Sequence, residues 1–345
     1  MSSSIWGRLL PRLVLHGWLD GDAALTGRVT VEPRNRSHEV AVIRQDRRAV
    51  CVAKHHRPSP DPGDPAAAEV AIYRWLVAQQ ASDPALAPAL LGVVDGTLLL
   101  EARDRDVPLH HAVRDGARQP DALFAALGGL LGRLHAAAPT PGLLGAAAAG
   151  APWVLALAEG ALPPSLRGDE RIADLAAEVA GDRDLAGCLT ALAARWPGTG
   201  GRDRTGSAVL VHGDIKFDNV LVASAPGARP RLRLLDWELA GPGLAAWDLA
   251  GVVDGLLVPA LQVLPTARAL TERAHAAPAL AAHRGVPGAP EVSEEELTLA
   301  TVARLVQSAI QLLAMRHLEP ARAEAVPPVL AGARALAEHA SARAA

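Results

Sequence analysis

The chain is short of several residue types, and each shortage excludes something. In 345 residues it has two lysines, Lys54 and Lys216, and two asparagines, Asn35 and Asn219, against thirty-two arginines. Its two cysteines, Cys51 and Cys188, are too few for a disulfide framework, and their spacing suits no metal site. A reducing, cytoplasmic location is the simplest expectation. Aromatic residues make up only 3% of the chain, so the core must be mostly Leu, Val and Ala. A formal charge of −3 leaves no basic footprint for nucleic acid. Residues 136–158 lack charge, but they are rich in Ala and Gly and are interrupted by Pro139, Pro141 and Pro152. A membrane span needs about 20 strongly apolar residues, so no membrane is expected either. The N-terminal apolar stretch is broken by Pro11, Arg12 and His16 and does not make a signal peptide.

Half of the residues are apolar and 21% are charged, as in ordinary globular proteins. The first hundred residues read mainly as short strands, at 27–33, 38–44, 49–54, 91–94 and 97–101. Asp95-Gly96 between the last two is a strong hairpin signal, because this dipeptide accommodates a type I′ turn. One helix is expected among them, capped by Asp64, with Pro65 in its first turn, and running to about Gln80. From about residue 104 the pattern becomes helical. Leu123, Leu127, Leu130, Leu131 and Leu134 repeat at helical spacing, and Ser293 with Glu296 forms a capping box. Three short apolar runs interrupt the helices at 209–211, 220–222 and 232–235. The expected fold class is α+β with two lobes: a small antiparallel β-lobe with one helix (1–103) and a larger α-helical lobe (104–345).

The scarce residues fall where chemistry is expected. An arginine-biased chain keeps lysine where a compact three-donor ammonium is needed and a planar guanidinium does not fit. His212-Gly213-Asp214 lies between two buried strands, with Asn219 five residues after the aspartate. Such an aspartate can accept a proton from an attacking hydroxyl, and the asparagine can reach a metal from the same loop. Asp236-Trp237-Glu238 ends the run at 232–235, and a carboxylate there suits magnesium on a nucleotide triphosphate. Lys54 ends the third strand. Glu69, fifteen residues on, shares the apolar face of its helix with Ile72, Tyr73 and Leu76. A carboxylate on that face needs a partner, and Lys54 is the natural one.

Lys54, Glu69, His212-x-Asp214-x4-Asn219 and Asp236-x-Glu238 resemble the protein-kinase-like fold in order and rough spacing. More narrowly, Val211–Asn219 followed by Leu235–Glu238 is similar to the aminoglycoside phosphotransferase / choline kinase family. Ala246-Trp247-Asp248-Leu249-Ala250 and Gly132-Arg133-Leu134-His135 add to the likeness, which covers roughly residues 25–320. The resemblance implies an ATP- (or GTP-) and Mg2+-dependent transfer of the γ-phosphate to a hydroxyl. It implies Asp214 as catalytic base, Asn219 and Asp236 as magnesium ligands, Lys54 as the phosphate-binding lysine and Glu69 as its partner. It further implies that Asp248 braces the catalytic loop and that a hinge near 99–102, with Glu101 and Ala102, reads adenine through backbone groups.

The sequence departs from the pattern in places. Arg34-Asn35-Arg36-Ser37 stands where protein kinases have a glycine-rich turn, and Asn35 and Ser37 are its candidate phosphate donors. Lys216 replaces a histidine frequent in antibiotic kinases and matches the lysine that Ser/Thr protein kinases place near the γ-phosphate. It is therefore a second catalytic candidate. The acceptor is then a hydroxyl-bearing small molecule such as an aminoglycoside. Alternatively it is a Ser/Thr peptide, as in lanthipeptide-like natural product biosynthesis, where partner biosynthetic proteins follow. A non-catalytic, nucleotide-binding pseudokinase is the reading from another class. His55 and His56 are expected on a solvated Pro-rich connector, His212 as a structural residue, Glu238 as either a second metal contact or a polar strand end, and the 294–296 acidic cluster as a helix N-terminus.

Overall fold

The chain opens with two helices, α1 (Ile5–Leu15) and α2 (Gly21–Leu25), that sequence reading missed because Pro11 looks like a breaker. An interior proline costs about 3 kcal/mol. Leu9 and Leu13, one helical turn apart, offset it by packing against the sheet beside Ile43, Cys51, Ala53 and Leu99. This computed structural model describes residues 5–34, 38–57, 64–79, 86–116, 119–137, 150–197, 208–223, 230–317, 319 and 321–344.

The sheet contains β1 (Val29–Pro33), β2 (Glu39–Gln45), β3 (Arg48–His55), β4 (Leu90–Val94) and β5 (Thr97–Leu100). The order is β1-β2-β3-β5-β4, and every pairing is antiparallel. Asp46-Arg47 and Asp95-Gly96 both take positive φ, so both tight turns carry the twist that two-residue hairpins need. Lys54 pairs with Leu98 and Val52 with Leu100, which puts Lys54 on the face opposite α1. Helix α3 (Pro65–Gln79) covers that face with Ile72, Tyr73 and Leu76.

In the large lobe β6 (Val107–Pro108), β8 (Val220–Val222) and β9 (Leu232–Leu234) form one small sheet, and β7 (Val209–Val211) pairs with β10 (Gly241–Gly243). Helix α4 (Leu109–Arg114) leads to α5 (Pro120–Ala136), whose leucine repeat is buried throughout. Gly128 lets the Ala277–Arg284 helix cross α5 at backbone contact, since a Cβ there would sit 1.9 Å from the Ala279 carbonyl oxygen. The capping box of Ser293 and Glu296 opens the Glu294–Ala314 helix. By length and composition alone, Ala245–Val263 and Glu294–His317 could cross a membrane, yet 61% and 67% of their apolar windows are buried inside the protein. They form the centre of the large lobe. We place the division between lobes at 103/104, between β5 and β6.

Candidate active site

The roof of the cleft is built from β3, α3 and the 236–238 segment. Lys54 Nζ lies 2.8 Å from Glu69 Oε2, and Glu69 is fully buried. The ammonium also contacts Asp236 Oδ1 and lies 3.3 Å from Glu238 Oε2. Burial works against the lysine's charge, but Glu69, Asp236 and Glu238 outweigh it and raise its pKa above the ordinary value. Burial likewise opposes the charge of Glu69, and there Lys54 and His56 prevail, so its pKa is lowered. Glu69 Oε1 accepts from the Trp237 N–H at 3.1 Å, which ties the small lobe's helix to the large lobe.

His56 corrects the reading of a solvated connector. Its side chain is 5% exposed, and its Nε2 lies 2.6 Å from Glu69 Oε2. The reason is positional: β3 runs on to His55, so the next side chain falls on the Lys54 face of the strand and turns under the sheet. His55 is part-buried and bonds Thr97 Oγ1 at 3.1 Å.

The floor is the loop after β7, and its rigidity comes from backbone groups held by one buried carboxylate. Asp248 accepts from the His212 N–H at 2.7 Å and the Gly213 N–H at 2.9 Å, and His135 Nε2 lies 3.1 Å from the same carboxylate. Burial would raise the Asp248 pKa, but these donors lower it. Behind it, His135 Nδ1 meets His283 Nε2 at 2.9 Å, and burial pushes His283 down to about 4. Gly213 has φ +84°, and a Cβ there would lie 2.1 Å from the Leu239 carbonyl oxygen, so only glycine fits this bend. His212 Nε2 donates to the Leu235 carbonyl at 2.8 Å, a loop-holding role.

Asp214 is the carboxylate that this loop presents. Its Oδ2 accepts from Lys216 Nζ at 3.0 Å and Asn219 Nδ2 at 3.1 Å. Its Oδ1 is buried and makes no hydrogen bond among the described residues, although the Lys216 ammonium is 3.0 Å away as an ion-pair contact. Asn219 is joined to the Leu235 N–H through its carbonyl at 2.8 Å, so the two metal-ligand candidates Asn219 and Asp236 lie on adjoining backbone. Asp236 adopts φ 66°, ψ 65°, a left-handed conformation that aspartate tolerates better than most residues. Burial favours its neutral form, but Lys54 overrides this and lowers its pKa.

Glu101 and Ala102 follow β5 directly. The Glu101 N–H is bonded to the Ala89 carbonyl at 2.8 Å and its carboxylate pairs with Arg103 at 2.5 Å, so its carbonyl is the backbone group left to face a base. Asn35 and Ser37 lie outside the described residues.

Sequence reading missed Arg304 and Asp254. Arg304, 2% exposed, donates to the Ile215 carbonyl at 2.6 Å, stacks 5.2 Å from the Trp247 ring, and brings Nη1 to 3.8 Å from Asp214 Oδ1. Asp254 is buried with Ser308 Oγ 3.0 Å from each oxygen, and burial raises its pKa to about 6. The available signal was a lone charge inside an otherwise apolar helix: Arg304 is the only charged residue between 297 and 315.

The profile of the Phosphotransferase enzyme family matches residues 30–277. No curated protein matches in sequence. Among solved structures, a microcompartment-associated aminopropanol kinase is 16% identical with a TM-score of 0.61, covering 97% of this chain and 98% of its own. The macrolide 2′-phosphotransferase of Brachybacterium faecium is 20% identical with a TM-score of 0.54, covering 94% and 97%. The aminoglycoside 2′-phosphotransferase-IIIa, solved with GDP, is 12% identical with a TM-score of 0.53, covering 97% and 98%. At such identities the likeness is one of fold: two-lobed and protein-kinase-like.

Proposed function

The chain belongs to the phosphotransferase enzyme family, and from that premise we propose that it moves the γ-phosphate of ATP or GTP to a hydroxyl acceptor, with Asp214 as the base. The observation that carries this reading is the asymmetry of Asp214. Lys216 Nζ lies 3.0 Å from each oxygen, but only Oδ2 also accepts from Asn219, while Oδ1 is buried and makes no hydrogen bond among the described residues. A buried, unsatisfied carboxylate oxygen is a place for a donor to dock. An acceptor hydroxyl there gives its proton to Oδ1 as its oxygen bonds the γ-phosphorus and the bond to the β-phosphate oxygen breaks.

Lys54, aimed by Glu69, supplies the cation for the nucleotide phosphates, and the backbone at Glu101 and Ala102 reads the base. Asn35 and Ser37 are proposed to cover the phosphates. Asn219 and Asp236 are the residues that would hold Mg2+, and they fit it: Asn219 spends its amide nitrogen on Asp214, leaving its oxygen for a hard cation. When bound, the ion neutralises charge on the transferred phosphate. Lys216 steadies Asp214 and is placed to meet the same charge. Lys54, Asp214, Asn219 and Asp236 are all present, which argues against a pseudokinase.

The relatives named above act, by name, on hydroxyl-bearing small molecules. Here two cations, Lys216 and Arg304, face the base. They disfavour a polycationic aminoglycoside and favour a neutral or anionic hydroxyl, which includes a Ser/Thr side chain of a precursor peptide handled with other biosynthetic proteins in the cytoplasm. The test is transfer from labelled ATP and GTP, with Mg2+ or with chelator, to a panel of polyols, amino alcohols, aminoglycosides and Ser/Thr peptides. Label should reach a neutral or anionic acceptor only with the metal. If no acceptor is labelled and no Asp214-dependent nucleotide hydrolysis occurs, the reading fails.

A further inference from the structure

His38, His56 and Glu238 form a second polar cluster in the roof, in contact with Lys54 and Glu69. His38 precedes β2, His56 follows β3, and Glu238 lies in the single turn Trp237–Leu239. The two imidazole rings are 4.4 Å apart, centroid to centroid, and tilted by 49°. Glu238 Oε2 touches His38 Nε2 and lies 3.7 Å from His56 Nδ1. His38 Nε2 has that carboxylate as an ion-pair contact, whereas Nδ1 of His38 and Nδ1 of His56 are buried atoms with no hydrogen bond among the described residues. Buried nitrogens left in this state cost about 1–3 kcal/mol each, which is a reason to expect a missing partner.

The partner's chemistry follows from Glu69. Lys54 keeps that carboxylate ionised, so His56 Nε2, 2.6 Å away, must carry the proton it accepts. In the neutral ring the lone pair is then on Nδ1, which lies on the Glu238 side. A carboxylate that holds one imidazole nitrogen so that the other can ligate is the usual support of a metal-binding histidine. One ligand atom from each of the three residues lies within 4.8 Å of the others. Zinc bonds of about 2.0–2.1 Å set tetrahedral ligands roughly 3.4 Å apart, close to the 3.7 Å between His56 and Glu238. Two imidazoles and a carboxylate suit a borderline transition metal, whereas magnesium prefers oxygen alone.

We propose that His38, His56 and Glu238 bind a zinc-class divalent cation beside Asp236, whose carboxylate lies within 4.8 Å of that of Glu238, with Glu69 holding His56 in the ligating tautomer. Binding also draws Glu238 away from Lys54, 3.3 Å from it, so the site adjoins the nucleotide's lysine.

The test is a Co2+ titration of the tag-free, metal-stripped full chain in millimolar Mg2+, read by visible absorption. The expected result is one Co2+ per chain with the strong bands of a low-coordinate site, displaced by Zn2+. Affinity should fall at least tenfold in His38→Ala and in Glu238→Gln, and stay unchanged in His55→Ala, whose ring is engaged by Thr97. His38→Ala is the principal variant because His38 lies outside the Lys54–Glu69–His56 contacts, and its melting temperature checks that it folds. Absence of Co2+ binding, displacement by Mg2+, or undiminished binding in folded His38→Ala would each overturn the proposal.

Discussion

At the roof a buried cation of the small lobe, Lys54, meets three carboxylates, two of them from the large lobe, through side chains alone. In the large lobe a buried carboxylate, Asp248, is held by two backbone N–H groups and a histidine. Both arrangements bury charge, but they differ in what can move. Lys54 can leave Asp236 or Glu238 and keep Glu69, so the roof can exchange partners when phosphate arrives. Asp248 cannot shift without stripping the loop that carries Asp214. The cleft thus combines an adaptable lysine with a rigidly held Asp214, the division of labour that positioning-dominated phosphoryl transfer, as proposed here, requires.

The largest expected effect tests the rigid side. Asp214→Asn should lower kcat by about 10²–10⁴-fold while the melting temperature stays near that of the wild type, measured by steady-state transfer and calorimetry. Wild-type turnover would remove Asp214 from its role. Asp248→Ala should cost about 3–5 kcal/mol in denaturant unfolding, because two buried N–H groups and His135 lose their acceptor together.

Asp254 sharpens the contrast within the same lobe. It too is buried, but among the described residues Ser308 is its only hydrogen-bond donor, and its pKa is pushed up to about 6, not down. The folded state therefore binds this proton more tightly than the unfolded chain, whose aspartate titrates near 3.9. The stability it contributes is fully present below about pH 4 and is lost as pH rises through 6. Asp254→Asn should then gain about 3 kcal/mol at pH 8 and nothing at pH 3.5, as read from unfolding curves at both pH values. An equal gain at both would refute the assignment.

The smallest effect belongs to the roof. Lys54→Met should cost only about 1–3 kcal/mol of stability, below Asp248→Ala, because His56 still bonds Glu69. Its main consequence should be a raised nucleotide KM. A stability loss equal to that of Asp248→Ala would erase the proposed difference between roof and floor.

Much of the frame was legible because it depends on neighbours in the chain. The hairpin turn at Asp95-Gly96, the leucine repeat of α5 and the capping box at Ser293 are encoded within a few residues. The Lys54–Glu69 contact was also readable, because a helical face forces a buried glutamate to find a cation. Helix α1 was not, since its stability comes from a sheet that the sequence places later. His56 was misplaced because strand β3 continues past the point where the prolines suggested a connector. Arg304 gave only a weak sign, a single charge in an apolar helix, and nothing local says that it meets a loop 89 residues earlier.

By itself, then, the sequence determined most of the strands, the leucine-lined helix α5 and the spacing of Asp214 and Asn219 on one loop, because these rest on local sterics and periodicity. Only the tertiary structure decided which charges face one another: Lys54 against Asp236 across 182 residues, His212 and Gly213 against Asp248, and His38 against Glu238. The physical reason is that a charge's state depends on burial and on its nearest donors, and both are set by packing between segments far apart in the chain.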